Sequence, residues 1–139
     1  MPDFTIRIFE PRDEALVVRL WQDCNLTIPA NDPHRDIALK LARQPKLFFV
    51  ATIQDRVVGT VLVGYDGHRG WINYLAVAPN ERRKGIGREL MGHAEASLRK
   101  LHCPKMNLQV RAGNQAVVAF YKAIGFDVEE RVSMGKRLT

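Results

Sequence analysis

The segment best suited to chemistry is Arg82-Arg83-Lys84-Gly85-Ile86-Gly87-Arg88. It stands between an apolar β-type run that ends at Val77 and a stretch of helical periodicity. Glycine there lets the backbone come close to a ligand, and the first N–H groups of a helix have no internal acceptor. Those donors, the positive end of the helix dipole and the cationic side chains together make an anion site best suited to phosphate. Two familiar phosphate motifs fail. No Gly-Lys-Ser/Thr closes a longer glycine-rich run, and Leu90 stands where a dinucleotide fingerprint needs its third glycine. Taken alone, the segment also fits a solvated basic turn whose glycines serve only geometry.

Other reactive side chains have bland alternatives too. Tyr121 shares helical spacing with Val117 and Ile124, so it is either a core aromatic or a phenol of pKa near 10 available for proton donation. His68 lies in a loop bracketed by Gly67 and Gly70, either facing a substrate entrance or idle. His34, His93 and His102 share no metal-ligand spacing with each other or with the cysteines, and no metal is expected. Cys24 and Cys103 read as packed thiols. Asp32 either caps a helix or, with Asn31 beside it, holds a cationic substrate.

The elements that must position these residues can be read from periodicity. Phe4–Ile8 alternates as a half-buried strand does, and Leu16/Val17, Leu20/Trp21 and Cys24 follow at helical spacing. Asp32-Pro33 starts a second helix carrying Ile37 and Leu41. Leu47–Ile53 and Val57–Tyr65 read as a hairpin about Gln54-Asp55-Arg56, and Trp71–Val77 as the next strand. Ile86, Leu90, Ala94, Leu98 and Leu101 mark one face of a helix, with Glu95 and Arg99 as an i,i+4 pair outside it. A strand over 106–111, a helix with Val117, Phe120/Tyr121 and Ile124 inward, a left-handed Gly125 and a final strand pair over Phe126–Leu138 complete the chain. The expected fold class is mixed α/β in the order β-α-α-β-β-β-α-β-α-β, a central mixed sheet flanked by helices.

Size and charge agree. The 139 residues make about one domain, 1–139, and the formal net charge is +6. With 46% hydrophobic and 26% charged residues, wholesale disorder is excluded. Two cysteines exclude a disulfide-dense scaffold or a four-thiolate zinc site, and point to a reduced, cytoplasmic protein. No apolar run approaches a membrane span and no signal peptide opens the chain, so no membrane association is expected. Four of the 21 basic residues lie in Arg82–Arg88. One polyanionic ligand therefore accounts for much of the surplus, and a nucleic-acid partner is not expected.

Arg82-x-x-Gly85-x-Gly87 resembles the Arg/Gln-x-x-Gly-x-Gly/Ala signature of the GNAT superfamily of acetyl-CoA-dependent N-acetyltransferases. Tyr74-Leu75-Ala76-Val77-Ala78-Pro79 is similar to that family's fourth strand. Asn107–Arg111 and the stretch from Asn114 to Phe126 are similar to its closing strand and helix. The stretch 106–126 most resembles enzymes that acetylate protein N-terminal amino groups, such as the ribosomal-protein alanine acetyltransferases. Tyr65–Gly70 and Asn31-Asp32-Pro33 instead resemble a small bacterial subgroup of the YpeA type.

The resemblance implies that acetyl-CoA is the acyl donor and that an unidentified amine, a small molecule or a protein N-terminus or lysine, attacks the thioester directly. Backbone groups of Leu75, Ala76 and Val77 would face the pantetheine arm as if it were an added strand. Amides and side chains of Arg82, Arg83, Lys84, Gly85, Ile86, Gly87 and Arg88 would hold the pyrophosphate. Asn114 would hydrogen-bond the pantetheine arm, and Tyr121 would act as general acid beside the sulfur. Gln109 stands where the similar α-amino acetyltransferases have a Glu base, and Gln cannot take a proton. Asp66, His68 and Glu10 remain as candidate bases; Asn31, Asp32, Asp66, His68 and Gln109 are candidate substrate contacts. Members of the family often form homodimers. The rival reading is a non-catalytic coenzyme A-binding sensor or interaction module of the same fold.

Overall fold

The computed structural model describes residues 3–139. The chain divides into two compact units, one reaching to Gln109 and the other Val110–Thr139.

The first unit is built on a five-stranded sheet in the order β1-β2-β3-β4-β5. Its strands are β1 (Thr5–Ile8), β2 (Phe48–Ile53), β3 (Arg56–Tyr65), β4 (Gly70–Val77) and β5 (Met106–Leu108). The first four pair antiparallel and β5 joins β4 in parallel, so the sheet is mixed as expected. β2 is buried along its whole length, as its run Phe-Phe-Val-Ala-Thr-Ile requires.

Helix α1 (Glu14–Asp23) buries Val17, Val18, Leu20 and Trp21, while Leu16, expected inside, is exposed. Helix α2 (Pro33–Arg43) starts on Asp32, whose carboxylate accepts from the His34 N–H at 2.9 Å, and it buries Ile37. These helices share one core with Phe9, Phe48, Val50, Leu62 and Ala76. Helix α3 (Ile86–Lys100) buries Ile86, Leu90, Met91, Ala94 and Leu98. Leu101, placed on that face by periodicity, lies past the helix end and is exposed. The Glu95–Arg99 pair forms, at 3.3 Å. Gly59 allows the close packing of α3 on β3: a Cβ there would come within 3.0 Å of Ile86 and Leu90.

In the second unit, α4 (Gln115–Ala123) is capped by the Asn114 side chain, and Gly125 is left-handed with φ of 106°. Only Tyr121 of the expected inward face is buried. The closing strand pair expected over Phe126–Leu138 is not formed; residues from Phe126 onward carry no strand. The reason is visible in its apolar residues, since Val128, Val132, Met134 and Leu138 are all highly exposed. A hairpin that buries neither face is marginal in water. β5 likewise ends at Leu108, short of the expected Arg111.

Candidate functional site

β4 and the start of α3 bring the expected cofactor residues of the first unit into one continuous stretch. β5 partners β4 only from Gly70 to Ile72. Among the described residues, Asn73–Val77 therefore has no strand beside it on that side, and Leu75 and Val77 are half-buried there. An unpartnered strand edge is a ready template for an extended ligand arm.

The edge is also irregular. Thr60 faces Ala76 and Leu62 faces Asn73, so Val61 alone opposes both Tyr74 and Leu75. This is a β-bulge, and Tyr74 occupies it with φ of 51°. One residue of backbone is thereby surplus to the ladder. Its carbonyl is accounted for, because the Thr60 hydroxyl donates to the Tyr74 carbonyl at 2.8 Å. The same hydroxyl accepts from the Trp21 indole at 2.9 Å. Trp21 stacks on the Tyr74 ring at 3.8 Å, and the Tyr74 hydroxyl donates to Asp36 of α2 at 2.6 Å. Burial, then the Asp36 hydrogen bond and charge, push the Tyr74 phenol well above its ordinary value. Nothing local in the chain signals this network. A tyrosine in the left-handed region has no sequence signature, and its partners Thr60, Asp36 and Trp21 lie 14, 38 and 53 positions away.

Past Val77, a short 3-10 turn, Pro79–Glu81, leads into the basic loop. Arg83 and Gly85 both take positive φ, 68° and 83°. Gly85 is the N-cap of α3 and offers no side chain to the helix, so the first N–H groups face outward without an internal acceptor. The basic side chains divide unequally. Lys84 reaches back to the buried Glu81 at 2.6 Å, and Arg56 of β3 approaches the other oxygen of Glu81 at 3.7 Å. Hydrogen bonding to Glu81 and its charge raise the Lys84 pKa. Arg82 donates from Nε to the Val77 carbonyl at 3.3 Å, and that carbonyl also accepts the Cys24 thiol at 3.4 Å. Burial pushes this thiol up, against the opposing pull of Arg82. Arg83 and Arg88 are exposed, and Ile86 is buried.

The candidate bases fall elsewhere. Asp66 accepts from the N–H groups of His68 and Arg69 at 2.7 Å each and from the Trp71 indole at 3.3 Å. Those backbone bonds hold its carboxyl below the usual range, which makes it a turn-former and a poor base. His68 shares that turn, at the Gly70 end of β4; five strand residues, about 16 Å, separate Gly70 from Leu75. Glu10 follows β1 and pairs with Arg12 at 2.5 Å. β1 lies three strand spacings, about 14 Å, from β4. Asn31 is exposed in the turn before α2, and Gln109 is exposed just after β5. Among the described residues no three His, Cys, Asp or Glu side chains gather as a metal set would. No helix of the described residues is long and apolar enough to cross a membrane.

In the second unit, Asn114 Oδ1 accepts from the Val117 N–H at 3.4 Å. The Tyr121 ring packs edge-on against Phe120 and Phe126, at 5.2 and 5.5 Å. Burial pushes its phenol up to about 12.

The family model for the acetyltransferase (GNAT) family matches residues 14–126. A relative in Yersinia pestis named as an N-acetyltransferase is 42% identical over 133 residues, which is 96% of this chain and 94% of that protein. Among solved structures, Ard1 from Thermoplasma volcanium is 29% identical with a TM-score of 0.83, over 91% of this chain and 84% of that one. The NatC complex bound to Gag peptide and CoA shares the fold at 24% identity and a TM-score of 0.79, over 93% and 87% of the two chains. With most of its length matched by the family and by a relative of this identity, the chain belongs to the acetyltransferase (GNAT) family and is an N-acetyltransferase.

Proposed function

We propose that this chain, 1–139, acts as one transferase domain that moves acetyl to a primary amine by direct attack on the thioester. The observation that carries this reading is the β4 edge. Among the described residues, Asn73–Val77 has no strand on its β5 side beyond Ile72, holds a bulge at Tyr74-Leu75 against β3, and runs on toward the outward amides at the start of α3. The residues present fit acetyl-CoA: an extended arm finds unpaired backbone, and a pyrophosphate finds helix N–H groups beside cationic side chains.

Acetyl-CoA, when bound, supplies the activated acyl group. Leu75, Ala76 and Val77 align the arm along β4, with the Val77 carbonyl already engaged inside the chain. An amide at the bulge, surplus to the ladder, polarises the carbonyl oxygen under attack. The amides of Gly85, Ile86, Gly87 and Arg88, with the Arg83 and Arg88 side chains, take the pyrophosphate. Asn114 is the contact we assign to the pantetheine arm, in addition to its helix cap. Tyr121 is the acid. A phenol raised to about 12 holds its proton against a thiolate of ordinary pKa near 8.5. It therefore steadies the leaving sulfur by donating a hydrogen bond rather than by complete proton transfer.

A non-catalytic coenzyme A module is not favoured, since the chain keeps Tyr121 and Asn114 as well as the donor loop. Both cysteines are free thiols, which suits a reduced cytoplasmic setting. The acceptor is an amine. The test is a thiol-release assay with acetyl-CoA over a panel of small amines, lysine derivatives and short peptides with free N-termini. Turnover with at least one acceptor is expected. Tight coenzyme A binding with no turnover on any acceptor overturns the reading.

A further inference from the structure

Acetyl transfer to an amine requires a place for the acceptor next to the thioester, and amines arrive in water as ammonium ions. The carboxylates raised by the sequence, Asp32 for a cationic substrate and Asp66 and Glu10 as bases, are remote or committed. Asp32 caps α2, Asp66 is closed by three donors in its own turn, and Glu10 follows β1, three strands from β4, beside Arg12. Asp36 differs. It stands in the first turn of α2, half-buried, and is joined to Tyr74 by a 2.6 Å hydrogen bond. Tyr74 is the bulge residue itself, immediately before Leu75.

We propose that Asp36 is the anionic anchor that captures the acceptor as its ammonium ion and holds it beside the β4 bulge. Of the two protons the nitrogen loses in becoming an amide, one passes to water before attack and the other leaves with the coenzyme A thiol. This rests on the acetyl-transfer reading above and names the acceptor class: a primary amine presented as a cation, with no carboxylate next to it to be repelled by Asp36. Three features of the geometry support it. Only Oδ2 of Asp36 is engaged by Tyr74, so a carboxylate that accepts at two oxygens keeps capacity for a cation. The Tyr74 side chain that positions it is itself fixed, by stacking on the fully buried Trp21 at 3.8 Å. The Tyr74 backbone is fixed by the Thr60 hydroxyl at 2.8 Å. The anchor and the backbone that would polarise the thioester are thus parts of one rigid unit, spanning α1, α2, β3 and β4. Anchors held by packed supports orient a reactant better than side chains on loops.

The variant Asp36→Asn keeps an acceptor for the Tyr74 hydroxyl and removes the charge. With the full-length protein and the best acceptor from the amine and peptide panel, its KM for the amine should rise at least tenfold. That is the low end for loss of a hydrogen bond to a charged partner. KM for acetyl-CoA should stay within about twofold of the wild type, and the upward shift in Tm produced by coenzyme A within about 1 °C. Asp36→Glu, which restores charge, should recover part of the loss. Tyr74→Phe, which keeps the charge but frees its orientation, should raise the amine KM by a smaller factor, and it serves if Asp36→Asn does not fold. An unchanged amine KM in the folded variant overturns the proposal. If the wild type turns over no acceptor, the acetyl-transfer reading fails separately. The anchor is then read by the Tm shift that spermidine and lysine methyl ester produce in the presence of coenzyme A. A shift in wild type that Asp36→Asn abolishes supports the anchor, and no shift in wild type overturns it.

Discussion

Replacing Thr60 by Val tests whether one hydroxyl holds the bulge. Thr60 and Trp21 are both fully buried, so water cannot take over for a missing partner. The hydroxyl accepts from the indole at 2.9 Å and donates to the Tyr74 carbonyl at 2.8 Å. Valine has nearly the same shape, so packing changes little, but both partners are stranded. A buried polar group left without its bond costs about 1–3 kcal/mol, so two cost about 2–5 kcal/mol when some relaxation is allowed. At this chain length each kcal/mol moves Tm by about 3–4 °C, which places the drop at roughly 6–20 °C. Thr60→Ser keeps the hydroxyl and should lose no more than a few degrees. Differential scanning calorimetry of the two variants measures this. Because Tyr74 carries the bulge, Thr60→Val should also lower kcat at temperatures where it remains folded. A Thr60→Val protein that melts within 2 °C of wild type would refute the idea that this bridge fixes β4, and with it the rigidity argued for Tyr74 and Asp36.

Three further outcomes are expected. Tyr121→Phe should lower kcat by about 10²–10³, the usual span for losing one hydrogen-bond donor to developing charge, with coenzyme A affinity and Tm nearly unchanged; thiol-release kinetics beside calorimetric titration with coenzyme A would show otherwise. Gly85→Ala meets no atom within 4 Å, so its cost is backbone strain at φ of 83° alone, about 1–2 kcal/mol, read as a Tm drop of about 3–8 °C. Lys40 donates to the Val63 carbonyl, and burial lowers its pKa to about 8. The unfolded chain then binds more protons than the folded one between about pH 8 and the ordinary lysine value near 10.4, so stability should rise with pH across that window. Urea midpoints for wild type and Lys40→Met at pH 7.5, 9 and 10 report it; parallel curves would remove Lys40 as the cause.

What sequence reasoning captured was local, and what escaped it was relational. Asp32-Pro33 announces the start of α2, Gly125 the left-handed turn after α4, and Glu95/Arg99 the ion pair on α3, because each depends on residues a few positions apart. The basic segment 82–88 is legible for the same reason. The Tyr74 bulge depends on how β3 and β4 are offset, which no spacing along one strand reveals. Asp36 reaches Tyr74 across 38 positions, so nothing local links a helix carboxylate to a strand phenol. Asp66 looked like a base because loops carry chemistry, yet a short polar side chain in a glycine-bounded turn more readily bonds its own backbone. The strand expected over Phe126–Leu138 had the right residue types, but strand propensity means little where no neighbour offers a face to bury against.

The charge of the donor loop also changes meaning once its partners are known. Four cations between Arg82 and Arg88 suggest four contacts to a polyanion. Lys84, however, is tied to the buried Glu81, and Arg82 to the Val77 carbonyl that also receives the Cys24 thiol. These two side chains brace the loop against the end of β4, and in doing so they hold Arg83 and Gly85 in left-handed conformations that an unsupported chain would avoid. The exposed Arg83 and Arg88 are left to act as charges toward a ligand. In the function we propose, recognition of pyrophosphate then rests more on the outward amides of α3, whose positions this bracing fixes, than on the number of basic side chains. A loop built this way needs its arginine at position 82 for shape, which is a physical reason for an Arg-x-x-Gly-x-Gly spacing to begin with a residue whose fork reaches back to the strand.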